Sequence, residues 1–215
     1  MITVCVVDDH EVVRRGIRQI LSETSDIRVA EEAVSGEDLI AKLSRGRWDV
    51  TLLDISMPGR GGLEALKELK ARMPKLPVLV LTMHSEEQYA VRALKLGADG
   101  YLTKEKVSDS LAGAIRLLAS GRKFITPRLA EGLADEVSSG RAASPHDSLS
   151  DREYQVFRLL ARGKSVTEIA RELGLSPKTI STNRTRLLAK MNLRNNAEIV
   201  VYAMRRNLVT FPGQP

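Results

Sequence analysis

The chain has 215 residues and carries 33 Lys and Arg against 27 Asp and Glu, a formal net charge of +6 at pH 7. This length exceeds the common size of one domain, so two domains are expected. No run approaches the roughly 18 apolar residues that span a bilayer, and the first residues lack a signal-peptide pattern. The single cysteine, Cys5, excludes an intrachain disulfide. These features predict a cytoplasmic protein without a membrane partner.

The positive charge is concentrated in the last third of the chain. Residues 149–215 contain 12 Lys and Arg against 5 Asp and Glu, a net charge of +7, whereas the residues before them carry −1. A basic segment beside a nearly neutral one is typical of a protein whose second part binds a polyanion such as nucleic acid. A solvated basic surface explains the same charge equally well.

The first half of the chain alternates strand-like and helix-like patterns. Between short apolar runs, apolar residues recur at helical spacing, as at Leu63, Leu66 and Leu69. Five strands separated by helices predict an α/β fold, a doubly wound parallel sheet covered on both faces. The predicted strands are residues 2–7, 27–34, 48–54, 77–82 and 100–103.

Polar side chains stand at the carboxyl ends of four of these strands. In an open parallel sheet, ligands bind outside these ends, where the loops converge. A lone aspartate, threonine or lysine at such a place is more often structural, but their joint occurrence favours one shared site. The residues are Asp8 and Asp9 after the first strand, Asp54 at the third, Thr82 at the fourth and Lys104 after the fifth.

The chemistry of this set indicates phosphoryl transfer. Three carboxylates in one cleft repel each other unless a hard cation compensates, and Mg²⁺, which prefers oxygen ligands, is the expected cofactor. Asp54 is then a candidate nucleophile that forms an aspartyl phosphate. Lys104 and Thr82 can donate hydrogen bonds to the phosphoryl oxygens. A haloacid-dehalogenase-like phosphatase needs a second aspartate two residues after the nucleophile, where this chain has Ser56.

Four segments resemble the signature of the receiver domain of two-component response regulators, and the resemblance covers about residues 1–122. Many receivers have proline after the lysine, where this chain has Glu105, so the peptide geometry at that position is left open. The segments are Val6 to His10, Leu52 to Gly59, Val80 to Thr82, and Gly100 to Lys104.

The resemblance implies a flavodoxin-like fold and a sensor histidine kinase as partner. It implies that the protein is no enzyme beyond its own phosphorylation and dephosphorylation. We expect phosphorylation to draw Thr82 to the phosphoryl group, turn Tyr101 inward and remodel residues 86–97, 100–103 and 108–120. The implied roles are phosphoacceptor for Asp54, Mg²⁺ ligation for Asp8, Asp9, Asp54 and the Ser56 carbonyl, phosphoryl contacts for Thr82 and Lys104, and aromatic switch for Tyr101.

A polar segment, residues 123–148, separates the two predicted domains. Pro127 to Val137 can form one short helix, and residues 138–148 contain the Gly, Pro and Ser residues typical of a flexible linker. The second domain is predicted to occupy residues 149–215.

Four helix start signals follow in that second domain, and they predict a small all-α domain. Gly163 and Gly174 are placed to end its first two helices. The short connection after Gly174 is typical of a helix-turn-helix, whose second helix enters the major groove. The start signals are capping boxes at Ser150 with Glu153 and Ser165 with Glu168, an N-cap at Ser176 before Pro177, and Asn195.

The third of these helices has two distinct faces. At about 100° per residue, its apolar residues point one way and its polar and basic residues the other. Such a polar face can read base edges and hold phosphates, although an ordinary surface helix has the same pattern. The apolar face contains Ile180, Leu187, Leu188 and Met191, and the opposite face contains Lys178, Thr182, Thr185 and Arg186.

Four further segments resemble the LuxR-type DNA-binding domain: Leu149 to Glu153, Gly163 to Ser165, Glu168 to Ala170, and Leu175 to Ile180. Joined to a receiver, this is the pattern of the NarL/FixJ class of response regulators. The resemblance implies double-stranded DNA as partner, with base contacts from Ser181, Thr182 and Thr185. It implies phosphate contacts from Lys178, Arg184, Arg186 and Lys190, although the helical wheel places Arg184 near the buried side.

A homodimer is expected because one small helix-turn-helix contacts few bases. The last helix, residues 197–207, has enough apolar residues to form an interface, but completing the domain core is an equally good explanation. A regulator that uses its receiver only for dimerisation remains an alternative, although such proteins often lose acidic-site residues that this chain keeps.

Overall fold

The structure, a computed structural model, describes residues 1–57, 61–82, 87–126, 129–130, 144–206 and 208–209. The chain divides into two compact units, residues 1–139 and residues 140–215. The predicted α/β domain followed by a small helical domain is confirmed.

The N-terminal unit alternates strands and helices in the predicted order. A 3₁₀ turn, Lys104–Lys106, connects its last strand to its last helix. The strands are β1 (Ile2–Val7), β2 (Ile27–Ala33), β3 (Val50–Asp54), β4 (Val78–Thr82) and β5 (Gly100–Thr103). The helices are α1 (Glu11–Ser22), α2 (Gly36–Lys42), α3 (Gly62–Arg72), α4 (Glu87–Lys95) and α5 (Val107–Ala119).

The five strands form one parallel sheet in the order β2-β1-β3-β4-β5. Every residue of β3 and β4 is buried, whereas in the edge strand β2 only the end residues Ile27 and Ala33 are buried. Helices α1 and α5 pack against each other, as do α2 and α3. The strand order reverses direction beside β1, so the crevice between the ends of β1 and β3 is where a ligand is expected.

The chain that follows α5 returns to the sheet before it leaves the N-terminal unit. The Phe124 amide donates to the Asp99 carbonyl (2.9 Å), and its carbonyl accepts from the Tyr101 amide (3.4 Å). Phe124 forms a parallel bridge with Gly100 and packs on the core of the sheet. A Cβ at Gly100 would lie 3.0 Å from the Phe124 Cβ, so only glycine permits this close approach. Residues 123–126, predicted as linker, are thus attached to the edge of β5.

The C-terminal unit contains the four predicted helices. They are α6 (Asp151–Ala161), α7 (Val166–Glu172), α8 (Pro177–Met191) and α9 (Asn196–Arg205). Both predicted capping boxes are confirmed, at Ser150 with Glu153 and at Ser165 with Glu168. Gly163 and Gly174 adopt φ of 82° and 63° after α6 and α7, a conformation that glycine reaches without steric cost.

The polar stretch before α6 is more ordered than the sequence indicates. Residues Pro145–Ser148 form a 3₁₀ turn, and His146 Nδ1 lies 2.7 Å from the Tyr202 hydroxyl. The ring of His146 also stacks on Tyr154, and Leu149 is buried. The end of the predicted linker is therefore held by the aromatic residues of the C-terminal unit.

Several predictions fall outside the described residues. They include most of the helix predicted for Pro127 to Val137, residues 138–143 of the linker, and Pro58 and Gly59 of the third-strand motif. Within the part of the chain that the structure describes, no helix is both long and apolar enough to cross a membrane.

Candidate functional site

Three aspartates meet in the crevice at the switch point of the sheet. Asp8 and Asp9 follow β1, and Asp54 ends the neighbouring strand β3. The side chains of Asp8 and Asp54 are 1% exposed. One ligand atom from each aspartate and one ring nitrogen of His10 all lie within 4.8 Å of one another. The structure thus brings together carboxylates that are about 45 residues apart in the chain.

Lys104 supplies the positive charge of this cleft. It begins the 3₁₀ turn after β5, and its side chain is 10% exposed. Its Nζ donates to Asp8 Oδ2 (2.6 Å) and to Asp54 Oδ2 (2.7 Å). One ammonium group therefore bridges two buried carboxylates. The Lys104–Glu105 peptide, whose geometry the sequence left open, is trans.

Burial dominates the electrostatics of Asp54. It raises the pKa of this carboxyl group, and the nearby charge of Asp8 raises it further, while Lys104 and the Ser56 amide lower it only in part. Burial acts in the opposite direction on Lys104, but attraction to Asp54 and Asp8 outweighs it and raises the pKa of the ammonium group. One lysine does not compensate three carboxylates, so the cleft retains an excess of negative charge.

The donors of this cleft suit a magnesium ion. The oxygen Asp9 Oδ1 is buried and has no hydrogen-bond partner among the described residues, while the backbone amides of His10 and Ser56 donate to Asp8 Oδ1 and Asp54 Oδ1, each at 2.9 Å. Carboxylate oxygens of this number and charge are the ligands that Mg²⁺ prefers. The metal role of the Ser56 carbonyl stays a prediction.

His10 is a member of the cluster that the sequence did not reveal. Its Nδ1 lies 3.1 Å from Asp9 Oδ1 and 3.3 Å from Asp8 Oδ1, and its side chain is 65% exposed. The three histidines of the chain lack metal-ligand spacing, so spacing gave no reason to select it. Its position directly after Asp8 and Asp9 was the available signal.

Thr82 and Tyr101 form a second, adjoining pair. Thr82 is fully buried at the end of β4, next to the strand that carries Asp54. A hydrogen bond joins its side chain to that of Tyr101, whose pKa is raised by burial of the ring. The Tyr101 ring is already turned inward here, with 6% exposure. In this conformation, Tyr101 therefore already occupies the inward position that we expected it to reach on phosphorylation.

In the C-terminal unit, helix α8 presents the predicted polar face. The apolar face is confirmed, since Ile180, Leu187, Leu188 and Met191 are all buried. The hydroxyls of Thr182 and Thr185 donate to the carbonyls one turn earlier, at 3.0 and 3.1 Å, and their oxygens can still accept. Six of the seven residues predicted to contact DNA are exposed, namely Lys178, Ser181, Thr182, Thr185, Arg186 and Lys190, whereas Arg184 is half-buried.

Two family profiles account for both units. Residues 4–116 match the response regulator receiver domain, and residues 147–203 match the bacterial regulatory proteins of the luxR family. The chain belongs to the NarL/FixJ class of response regulators. It is a transcription regulator with a receiver domain and a LuxR-type DNA-binding domain.

Curated relatives extend over nearly the whole of this response regulator. It is 38% identical to the response regulator UvrY of Escherichia coli K12 over 209 residues, which covers 97% of this chain and 96% of UvrY. It is 37% identical to the response regulator GacA of Pseudomonas aeruginosa, with 97% and 98% of the two chains covered. Each match therefore spans nearly the full length of both chains.

A solved relative is RcsB of Salmonella enterica serovar Typhimurium, bound to the promoter rprA in the presence of the phosphomimetic BeF3⁻. The TM-score is 0.60 at 31% identity, and the match covers 95% of this chain and 99% of that one. The likeness therefore extends through both domains of this response regulator.

Two basic residues of helix α8 have partners inside the DNA-binding domain of this response regulator. Arg184 Nε donates to Asn196 Oδ1 at 2.6 Å, in agreement with its place near the buried side of the helical wheel. Lys190 Nζ donates to Glu153 Oε2 at 2.7 Å, and Glu153 is 3% exposed. Lys190, predicted as a phosphate contact, therefore also links the end of α8 to the start of α6. No sequence motif indicates this pair, whose members are 37 residues apart.

Proposed function

We propose that this response regulator is a transcription factor switched by phosphorylation of Asp54 by a sensor histidine kinase. The observation that carries the proposal is the position of Lys104, whose ammonium group holds the buried Asp54 carboxylate at 2.7 Å. This arrangement keeps the aspartate oriented beside a donor that can form a hydrogen bond to an oxygen of the incoming phosphoryl group. The protein acts on no separate substrate, and it catalyses only its own phosphorylation and dephosphorylation.

The transfer step follows from the groups in the cleft. An oxygen of Asp54 forms a bond to phosphorus as the N–P bond of the kinase phosphohistidine breaks, and the freed ring nitrogen keeps the electron pair. Lys104 then donates to a phosphoryl oxygen, and the Thr82 hydroxyl does the same from the end of β4. Asp8, Asp9, Asp54 and the Ser56 carbonyl would hold Mg²⁺, which when bound offsets the negative charge of carboxylates and phosphoryl group.

The output of the switch is binding to double-stranded DNA through α8. Ser181, Thr182 and Thr185 would contact base edges, and Lys178, Arg186 and Lys190 would contact phosphates. The likeness to RcsB, which was solved on promoter DNA with a phosphomimetic, supports this assignment. Because bacterial DNA lies in the cytoplasm, the proposal places the protein there.

A homodimer completes the proposal. Val201 and Met204 on helix α9 are 46% and 47% exposed, although apolar residues of a helix normally pack inward. Two copies joined through this face would present two α8 helices to successive turns of the major groove. Phosphorylation would favour the dimer by changing the receiver surface around Thr82 and Tyr101.

Genome-wide DNA capture with wild type and with Asp54→Asn tests this function. The wild-type protein, treated with acetyl phosphate and Mg²⁺, should dimerise and bind the captured sites, whereas the Asp54→Asn protein should do neither under the same treatment. Sedimentation measures dimerisation, and DNA titration measures affinity. Glu37→Gln, which removes an exposed carboxylate from the first turn of α2, is the matched control and should behave as wild type. Equal dimerisation and DNA affinity in wild type and Asp54→Asn would refute the proposal.

A further inference from the structure

We propose that Arg14 is a positioning residue that holds the Asp8–Asp9 loop in the shape that directs both carboxylates toward the metal. This inference rests on the proposed function, because it assumes that the loop binds Mg²⁺ for phosphorylation of Asp54. Arg14 belongs to none of the residue sets that the motifs selected for the site.

Arg14 lies in the first turns of α1, and its side chain is 12% exposed. Its Nη1 donates to the backbone carbonyl of Asp8 at 2.8 Å. The carbonyl belongs to the residue that follows β1, where the regular ladder with β3 has ended at Val7. The guanidinium group thus supplies a charged donor to a carbonyl that has left the sheet.

The other end of the guanidinium group is fixed by the edge strand β2. Arg14 Nε donates to Glu32 Oε2 at 3.2 Å, and the other carboxylate oxygen of Glu32 pairs with Arg18 Nη2 at 3.0 Å. The same strand receives the amide of Asp8, which donates to the Ala33 carbonyl at 3.1 Å. The N–H and the C=O of Asp8 are therefore both anchored, one directly to β2 and one through Arg14.

This double anchor matters for the metal because the other constraint on the Asp9 carboxylate is weak. Among the described residues its Oδ1 makes no hydrogen bond and pairs only with Nδ1 of the 65% exposed His10 side chain, at 3.1 Å, so the direction of the carboxylate depends mainly on the backbone that carries it. The Asp8 carbonyl is part of the peptide bond to Asp9, and a rotation of this peptide would turn the Asp9 carboxylate away from Asp54. Residues that orient metal ligands without touching the metal commonly change metal affinity about 10- to 100-fold when they are replaced.

The geometry also explains why arginine suits this position. Its planar group carries several donors, so it reaches the Asp8 carbonyl and the Glu32 carboxylate at once. A lysine has one compact ammonium group and would satisfy one acceptor well. We therefore expect Arg14→Lys to retain part of the function and Arg14→Gln to lose most of it.

The test measures Mg²⁺ affinity of the full chain by calorimetry. Arg14→Gln should weaken Mg²⁺ binding about tenfold or more, and Arg14→Lys should lie between it and wild type. Phosphorylation of Arg14→Gln by acetyl phosphate should need correspondingly more Mg²⁺ but approach the wild-type rate at saturation. In the metal-free protein, amide exchange at Asp9 and His10 should be faster in Arg14→Gln than in wild type.

The matched control is Arg15→Gln, on the same helix. The Arg15 side chain is 71% exposed and pairs with Glu11 on its own helix, so its loss should leave Mg²⁺ affinity unchanged. If Arg14→Gln binds Mg²⁺ as tightly as Arg15→Gln, the positioning role is wrong. If wild type itself binds no Mg²⁺ or is not phosphorylated at Asp54, the proposed function fails, and the inference fails with it.

A second variant decides the question if Arg14→Gln does not fold. Glu32→Gln keeps Arg14 but removes the charge that fixes the far end of its guanidinium group. It should weaken Mg²⁺ binding in the same direction by a smaller factor, with a melting temperature that shows a folded protein. Wild-type Mg²⁺ affinity in folded Glu32→Gln would overturn the proposal.

Discussion

Each domain of this response regulator contains a buried carboxylate held by one lysine at 2.7 Å, yet the two carboxylates behave in opposite ways. Asp54 is paired with Lys104, and burial raises its pKa. Glu153 is paired with Lys190; burial would raise its pKa too, but hydrogen bonds from Lys190 and Ser150 lower it overall. The distance between the lysine and the carboxylate therefore does not by itself decide whether the pKa of the carboxylate is raised or lowered.

The difference lies in what else surrounds each carboxylate. Asp54 shares its lysine with Asp8, whose charge acts against it. Glu153 also accepts the Ser150 amide at 2.7 Å as part of a capping box, and its lysine is 43% exposed to water. A carboxylate whose charge and hydrogen bonds are fully compensated stabilises the fold, whereas one whose negative charge is only partly compensated can bind a ligand.

Among the substitutions that test this difference, removal of Lys104 should have the largest effect. Lys104→Met leaves two buried carboxylates without their shared donor, and we expect the rate of phosphorylation by acetyl phosphate to fall about 10²- to 10³-fold, roughly 3 to 4 kcal/mol. Lys106→Met removes an exposed ammonium group from the same 3₁₀ turn and should leave the rate unchanged. A Lys104→Met rate within about twofold of wild type would mean that the lysine only stabilises the fold.

A substitution that displaces the backbone of Asp54 should have nearly as large an effect as removal of Lys104. A Cβ at Gly62, the first residue of α3, would overlap the Asp54 carbonyl oxygen and Ile55 Cα. We expect Gly62→Ala to lower the free energy of unfolding of the receiver by about 2 to 3 kcal/mol. Fluorescence of Trp48, the single tryptophan, follows this transition in urea.

The control for Gly62→Ala is another helical glycine. Gly16 lies within α1, and a Cβ there would meet nothing within 4 Å. Gly16→Ala should therefore raise the free energy of unfolding by about 0.5 to 1 kcal/mol. Equal effects of the two substitutions would show that α3 can shift away from Asp54 at little cost.

Removal of the charge of Glu153 should destabilise the DNA-binding domain. Glu153→Gln weakens the bonds to Lys190 and Ser150, and we expect a loss of about 1 to 2 kcal/mol, seen as faster amide exchange in α6 and α8. Because the folded-state pKa of Glu153 is lowered, its contribution is present above the ordinary glutamate pKa of 4.5 and disappears as the pH falls through the folded value. Glu168→Gln, in the exposed capping box of α7, should have a smaller effect. A larger loss from Glu168→Gln would contradict the importance of burial.

The corresponding substitution at Asp54, Asp54→Asn, should have the opposite effect and stabilise the receiver. Without Mg²⁺ and near neutral pH, we expect Asp54→Asn to raise the free energy of unfolding by about 1 kcal/mol. The raised pKa of Asp54 means that wild type loses stability relative to Asp54→Asn as the pH rises through the folded-state value, and the difference disappears below the ordinary aspartate pKa of 3.8. Urea unfolding at several pH values measures this, and saturating Mg²⁺ should cancel the gain. A variant less stable than wild type at neutral pH would show that Lys104 compensates Asp54 fully.

Signals that act within a few residues were readable from the sequence. Both capping boxes, the N-cap at Ser176, the glycines after α6 and α7 and the buried face of α8 appear where the pattern predicts them. The convergence of the polar strand ends also followed, because parallel strands connected by helices place their carboxyl ends at one edge. These features depend on backbone geometry and periodicity, which each segment of sequence carries by itself.

The choice of partners among distant charges was decided only by the tertiary structure. The sequence offered 33 basic and 27 acidic residues, and no local rule pairs Lys190 with Glu153, joins Lys104 to both Asp8 and Asp54, or directs Arg14 to the Asp8 carbonyl. The inward position of the Tyr101 ring also arose from packing. Electrostatic energies depend on distance and burial, and both quantities exist only after the chain has folded.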